Sequence, residues 1–166
     1  METPVSELLE NNIWLALNQV KDPEIPVLSI VEMGMIAGVK IHEHKTEVII
    51  TPTFVGCPAL HVIQQNVKDE LHKQGIDAEV KIDLSIKWTT ERMTAEAREK
   101  LEKFGLAPPP HISDDELTEE QLNRVRCPFC HSTDTTLRSA FGSTLCRAIR
   151  FCFNCKQGFE QFKPVT

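Results

Sequence analysis

The sequence predicts an α+β protein: a small mixed three-stranded sheet with helices, followed by a small C-terminal four-cysteine zinc ribbon. Three observations predict it. Over residues 1–105, β-branched runs alternate with segments of helical apolar spacing. RCPFC and FCFNC then place two C-x-x-C pairs 21 residues apart. Between these patterns lies LAPPPHISDDELTEEQ, three consecutive prolines and then an acidic run, which has the composition of a linker. The expected division is a head over 1–105, a linker over 106–122 and a ribbon over 123–166.

In order along the head, Ser6 is suited to cap a helix running to about Val20, with Leu9, Ile13, Ala16, Leu17 and Val20 on one face. Pro23 and Pro26 end it. DPEIPVLSIVEMGMI reads as a loop or short extended stretch. Residues 36–41 and 47–53 read as a hairpin around His42-Glu43-His44-Lys45. A helix over 59–74 carries Leu60, Ile63, Val67 and Leu71 at helical spacing and stops at Gly75. Residues 78–84 alternate Val80, Ile82 and Leu84 as a third strand, and a last helix over 94–104 ends at Gly105. A strand–helix–strand crossover makes its two strands parallel, so hairpin plus crossover gives a mixed sheet.

Cys57 stands where the second strand gives way to its helix, a usual position for a site in a layered sheet. Gly56 supplies the turn, Pro58 suits the first helical position, and Cys57 is expected at the N-cap. Unpaired N–H groups of a first helical turn favour negative charge, so this thiol is expected to ionise more easily than a free one. Two readings fit: a nucleophile or soft-metal ligand, or a small apolar residue closing a corner.

Charge is distributed unevenly. Residues 1–105 hold 17 acids and 11 bases, 106–122 five acids and no base, and 123–166 two acids and seven bases. The net charge of −6 and the lack of a dense Lys/Arg stripe argue against nucleic acid as a partner. No apolar run approaches a membrane span, and METPVSELLENN lacks the regions of a signal peptide, so a cytoplasmic location is expected. Six cysteines in a reducing compartment read as ligands or reactive thiols rather than disulfides.

Cys127, Cys130, Cys152 and Cys155 are expected to form two knuckles closed by one tetrahedral ion, with Phe129, Phe141, Phe151, Phe153, Phe159 and Phe162 packed around it. Zinc is favoured, although an iron site or cluster uses the same donors. Four cysteine ligands leave no position for a catalytic water, so the metal is expected to be structural. Cys146 reads as a buried small residue, and ligand exchange with Cys152 stays open. His42 and His44 lack a third ligand and, like His111, are expected to be exposed. Asp22 and Glu24 offer a carboxylate pair, but Asp before Pro is more often a turn former. No dinucleotide fingerprint, phosphate loop or Ser/His/Asp pattern occurs.

DPEIPVLSIVEMGMI followed by TPTFVGCPA resembles the SufT-like domain associated with iron–sulfur protein maturation, whose reactive cysteine matches Cys57. KWTTERMTAEAREKLEKFGLAPP, RCPFC, FGSTLC and FCFNC are similar to one branch, the PaaD (PaaJ) family of D subunits of the bacterial ring-1,2-phenylacetyl-CoA epoxidase. Val31-Glu32-Met33-Gly34 replaces the more usual aspartate-leucine-glycine of the family loop while keeping charge and apolarity. The resemblance implies an accessory role in aerobic phenylacetate breakdown. In it, Cys57 would carry a transient iron or iron–sulfur centre for the oxygenase or reductase subunits, supported by Asp22, Pro23, Glu24, Thr53, Gly56 and Pro58. A non-catalytic structural subunit that docks oxygenase to reductase is the alternative, and a homodimer is open. No EXXH pair or cofactor fingerprint is present, so epoxidation by this chain itself is not expected.

Overall fold

The computed structural model describes residues 4–42, 45–112 and 118–166, and divides into two compact units, 1–87 and 88–166. His44 and the acidic residues Asp114, Asp115 and Glu116 lie outside the described residues, as does the Ser6 side chain.

In the first unit, helix α1 (Pro4–Gln19) starts before the expected cap and buries Ile13, Ala16 and Leu17. Strands β1 (Ile36–His42) and β2 (Lys45–Ile50) pair antiparallel, from Ile36↔Ile50 to His42↔Lys45, with an irregularity between Ile36 and Gly38. Helix α2 (Leu60–Lys73) buries Leu60, Ile63, Val67 and Leu71 and packs against α1 and β3 (Ala78–Ile82). β3 runs parallel to β2, from Thr46↔Ala78 to Ile50↔Ile82, so the sheet order is β1-β2-β3. This is the mixed hairpin-plus-crossover sheet the residues predict. Leu84 lies past the end of β3 and is 60% exposed, because the chain turns there: Asp83 accepts from the N–H and hydroxyl of Ser85.

The second unit contains more chain than expected. It begins at Trp88 and includes α3 (Ala95–Phe104), β4 (Leu106–Ala107), α4 (Glu119–Asn123), β5 (Thr135–Ser139), β6 (Arg147–Cys152) and β7 (Gly158–Phe162). The sheet order is β4-β7-β6-β5, with β4 parallel to β7 and the other pairs antiparallel. Thr94 caps α3 by accepting from Ala97 N–H, and Gly105 closes it at φ +88°, a conformation glycine adopts without strain. The division thus falls after Lys87 rather than after residue 105. Burial is the reason: Leu106 and Ala107 are strand residues at 2% and 0% exposure, and Trp88 packs on Phe162 with ring centroids 6.0 Å apart. Nor are residues 106–112 a free linker. Buried Arg98 donates to the carbonyls of Pro109 and Thr90, and Ile112 N–H donates to Glu91.

Among the described residues, no helix is long and apolar enough to cross a membrane.

Candidate functional sites

Two sites emerge, one in each unit. In the first unit, residues 21–35 form a compact loop. Asp22 Oδ1 accepts from the N–H groups of both Glu24 and Ile25 at 2.8 Å, and Asp22 N–H donates to Leu28 O at 3.0 Å. Asp22 is therefore the turn former that an Asp-Pro sequence favours. Ser29 N–H donates to Glu32 Oε2 at 2.8 Å while Glu32 N–H donates to Ser29 Oγ at 3.1 Å, a reciprocal pair that fixes the next turn. The Glu32 carboxylate serves this turn.

On the other side of the site, β2 ends and Thr51 is fully buried, donating Oγ1–H to Ile86 O at 2.6 Å and N–H to Met35 O at 2.8 Å. The chain passes half-buried Thr53, turns at Gly56 with φ +83°, and reaches Cys57, whose N–H donates to Phe54 O at 3.3 Å. Two expectations are corrected by this geometry. The helix begins at Leu60 with Ala59 at the cap position, so neither is Cys57 the N-cap nor Pro58 the first helical residue; both lie in the preceding turn. The Cys57 thiol is also pushed up from its ordinary value, not down. Burial is the largest cause, and the carboxylates of Glu24 and Asp22 add to it, outweighing the lowering by the N–H groups of Ala59 and Leu60. The helix start does act on the sulfur, as anticipated, but more weakly than desolvation and two negative neighbours. The fold thus brings the DPE loop within electrostatic reach of Cys57, across 35 positions of sequence.

In the second unit, the Sγ atoms of Cys127, Cys130, Cys152 and Cys155 all lie within 4.8 Å of one another. Cys127 and Cys155 are 3.7 Å apart, Cys130 and Cys152 3.5 Å. A tetrahedral zinc with bonds of about 2.3 Å sets its sulfurs about 3.8 Å apart, so the four donors fit such an ion. Each knuckle is built the same way. Cys127 N–H donates to Ser132 O and accepts at its carbonyl from His131 N–H; Cys152 pairs likewise with Gln157 O and Lys156 N–H, all at 2.9–3.0 Å. His131 and Lys156, directly after the second cysteine of each pair, take φ 60° and 61° to reverse the chain.

A residue the sequence reasoning missed completes this centre. Asn154 donates from Nδ2 to Cys130 Sγ at 3.5 Å and, with the N–H of Ser132, draws that thiol down to about 6. Burial pushes the Cys155 thiol up to about 12. One thiolate forms easily, then, and a cation is needed to hold the full set ionised. The signal in the sequence was the position of Asn154 inside FCFNC, where a short amide can reach the facing knuckle.

The aromatic expectation is corrected. Only Phe159 and Phe162 of the six phenylalanines are buried; Phe129, Phe141 and Phe153 are exposed, and Phe151 is half-buried. The cysteines instead pack with Ala107, Val125 and Phe159, where the small and branched groups let the dense cluster of four sulfurs close up. Cys146 is buried as expected, with Thr144 Oγ1 at 3.0 Å, and is not among the four clustered sulfurs. His42 is exposed at the end of β1, and His111 is exposed with Nδ1 3.2 Å from Glu91.

Comparisons with known proteins find two families along the chain. Residues 10–84 match the family model described as "Iron-sulfur cluster assembly protein", and residues 112–163 match "PaaD zinc beta ribbon domain". The chain is 39% identical over 157 residues to the D subunit of the "Putative 1,2-phenylacetyl-CoA epoxidase" of Escherichia coli (strain K12), covering 93% of each. It is 36% identical over 97 residues to "Fe-S protein maturation auxiliary factor YitW" of Bacillus subtilis (strain 168), covering 57% of this chain and 94% of that one. A solved structure of a DUF59 domain from Bacillus anthracis superposes with a TM-score of 0.54 at 30% identity, covering 57% of this chain and 92% of that chain. With a metal-binding four-cysteine ribbon joined to an iron–sulfur-assembly domain, and with identity extending along nearly its whole length, the chain belongs to the PaaD family of phenylacetyl-CoA epoxidase D subunits.

Proposed function

We propose that this chain is an accessory maturation factor of a phenylacetyl-CoA epoxidase system, carrying iron or an iron–sulfur centre as cargo to the oxygenase or reductase subunits through Cys57. The observation that carries the reading is the company Cys57 keeps: a half-buried thiol at a helix start, within electrostatic reach of Asp22 and Glu24. Its chemistry suits a transient ligand. Without a cation, burial and the two carboxylates keep the sulfur protonated and protect it. An arriving cation offsets the carboxylates, the thiol proton leaves to solvent, and a sulfur–metal bond forms. Loss of the cargo to a partner reverses these steps. Pro23, Thr53, Gly56 and Pro58 shape the loops that hold the thiol there.

In this proposal the ribbon holds zinc through Cys127, Cys130, Cys152 and Cys155 and serves as structure, since its four donors fill the coordination sphere. Deprotonated, these thiolates supply the ion with a complete set of soft ligands. Exposed aromatic side chains on the same unit, Phe141 at 76% and Phe129 at 51%, favour a second reading in which the ribbon docks the oxygenase to its reductase.

The test is Cys57→Ser expressed in cells in place of the parent. The expected result is a folded protein, loss of growth on phenylacetate, and an oxygenase or reductase purified with less iron or cluster. Parental growth would sink the Cys57 assignment. A large rate gain on adding the chain to fully loaded partner subunits would favour docking instead.

A further inference from the structure

The two knuckles of the ribbon are built alike in backbone but not in side chains, and the difference falls on the sulfurs that solvent can reach. Cys127 and Cys152, the first cysteine of each pair, are wholly buried, whereas Cys130 and Cys155 are half-buried. Each of these two outer sulfurs accepts one backbone N–H, Cys130 from Ser132 and Cys155 from Gln157. Among the described residues, only Cys130 also receives a side-chain amide. Asn154, itself exposed, reaches across from the second knuckle and donates from Nδ2 at 3.5 Å. A ligand thiolate only accepts, so the nitrogen of the amide is the atom that must face it. The equivalent position in the first knuckle, between Pro128 and Cys130, is Phe129, which has no donor to give to Cys155.

A hydrogen bond to a thiolate engages the lone pairs that attack an electrophile, so the sulfur with one donor fewer is the stronger nucleophile. Metal coordination does not erase the difference, because donors to the ligand atoms tune a metal site from outside. Burial withdraws Cys127 and Cys152 from the competition. Nearby charge does not reverse the order. Lys156, directly after Cys155, is exposed to water and salt that screen it, and His131, directly after Cys130, has its Nδ1 3.0 Å from Glu102 Oε1.

We propose that Cys155 is a modification site for neutral soft electrophiles and the sulfur at which the metal-loaded ribbon opens, with Asn154 as a positioning residue that keeps Cys130 a ligand. In the step, a lone pair of Cys155 Sγ forms the S–C bond, the leaving group departs with its bonding pair, and the resulting thioether no longer serves as a thiolate ligand. With one of four donors lost, the ribbon holds its ion less tightly. The inference rests on the ribbon as a metal centre and is independent of the role proposed for Cys57.

The test is iodoacetamide treatment of the full zinc-loaded chain, iodide being the leaving group. Modified cysteines are located at low conversion by peptide mass spectrometry, and released zinc is followed with a colorimetric chelator. Cys155 is expected to react at least about three-fold faster than Cys130, the weight of one hydrogen bond, with Cys127 and Cys152 slower than both and zinc released in step with Cys155. Asn154→Ala removes the donor from an exposed position, and Asn154→Leu does so with nearly the same shape. Each is expected to bind one zinc per chain and to raise the Cys130 rate at least about three-fold, leaving the Cys155 rate as in the parent. The proposal is overturned if another ribbon cysteine reacts as fast as Cys155 in the parent, or if neither variant speeds Cys130. It is overturned equally if both variants speed all four ribbon cysteines alike, as a merely loosened fold would.

Discussion

Thr90 N–H donates to Val165 O at 3.0 Å, and Thr90 Oγ1 lies 3.2 Å from the same carbonyl, so segments near the two ends of the second unit are tied together. Both contacts span 75 positions in sequence. The ribbon is thereby part of a larger unit that starts at Trp88.

Fragment boundaries test this directly. A fragment of residues 88–166, loaded with zinc, should unfold cooperatively, whereas one of residues 123–166 lacks Trp88, α3 and β4 and should lose the burial of Phe162 and Val125. Thermal unfolding followed by circular dichroism should place the shorter fragment at least about 10 °C lower. Equal midpoints would mean that residues 88–122 do not contribute.

Arg98 is 8% exposed and holds the carbonyls of Thr90 and Pro109. Arg98→Leu takes the guanidinium donor from both, leaving Thr90 O with Met93 N–H alone. It should cost about 2–4 kcal/mol by urea denaturation of the second unit, with little change in the first.

Cys57 should be slow to alkylate. Because burial and the Asp22 and Glu24 carboxylates raise its pKa, the thiolate fraction at a given pH is smaller than for a free cysteine, and reactivity rises only at higher pH. The pH–rate midpoint for iodoacetamide should lie above that of a cysteine in a short peptide. Glu24→Gln should move it down. A midpoint below the peptide's would mean that the helix start outweighs burial and the two carboxylates.

Metal removal separates the two units. Cys152→Ser, at a fully buried position, should reduce bound metal from one ion per chain to nearly none and unfold the ribbon, while 1–87 keeps its secondary structure. Calorimetry of zinc binding in buffers of different ionisation enthalpy should show about one more proton released at pH 5 than at pH 8. The sign follows because cysteine binds zinc as the thiolate: a thiol still protonated at pH 5 must lose its proton on binding, whereas at pH 8 part of that loss has already occurred.

Much of the architecture could be read from local pattern. The spacing of Leu60, Ile63, Val67 and Leu71, the αL stops at Gly75 and Gly105, the β-branched run ending in Ile50, and the paired C-x-x-C knuckles are each written within about 20 residues. Those elements and the four clustered cysteines follow from the chain's own local geometry, and the family was legible in the same motifs. Tertiary structure alone decided the rest. Whether Leu106 and Ala107 are linker or strand depends on β7, some 50 residues on; whether Phe141 is core or surface depends on what the sheet leaves uncovered. The ionisation of Cys57 was misjudged for the same reason. A helix start beside it is visible in the sequence, but burial and the arrival of Asp22 and Glu24 from 35 and 33 positions away are not, and desolvation with two negative charges outweighs two backbone N–H groups.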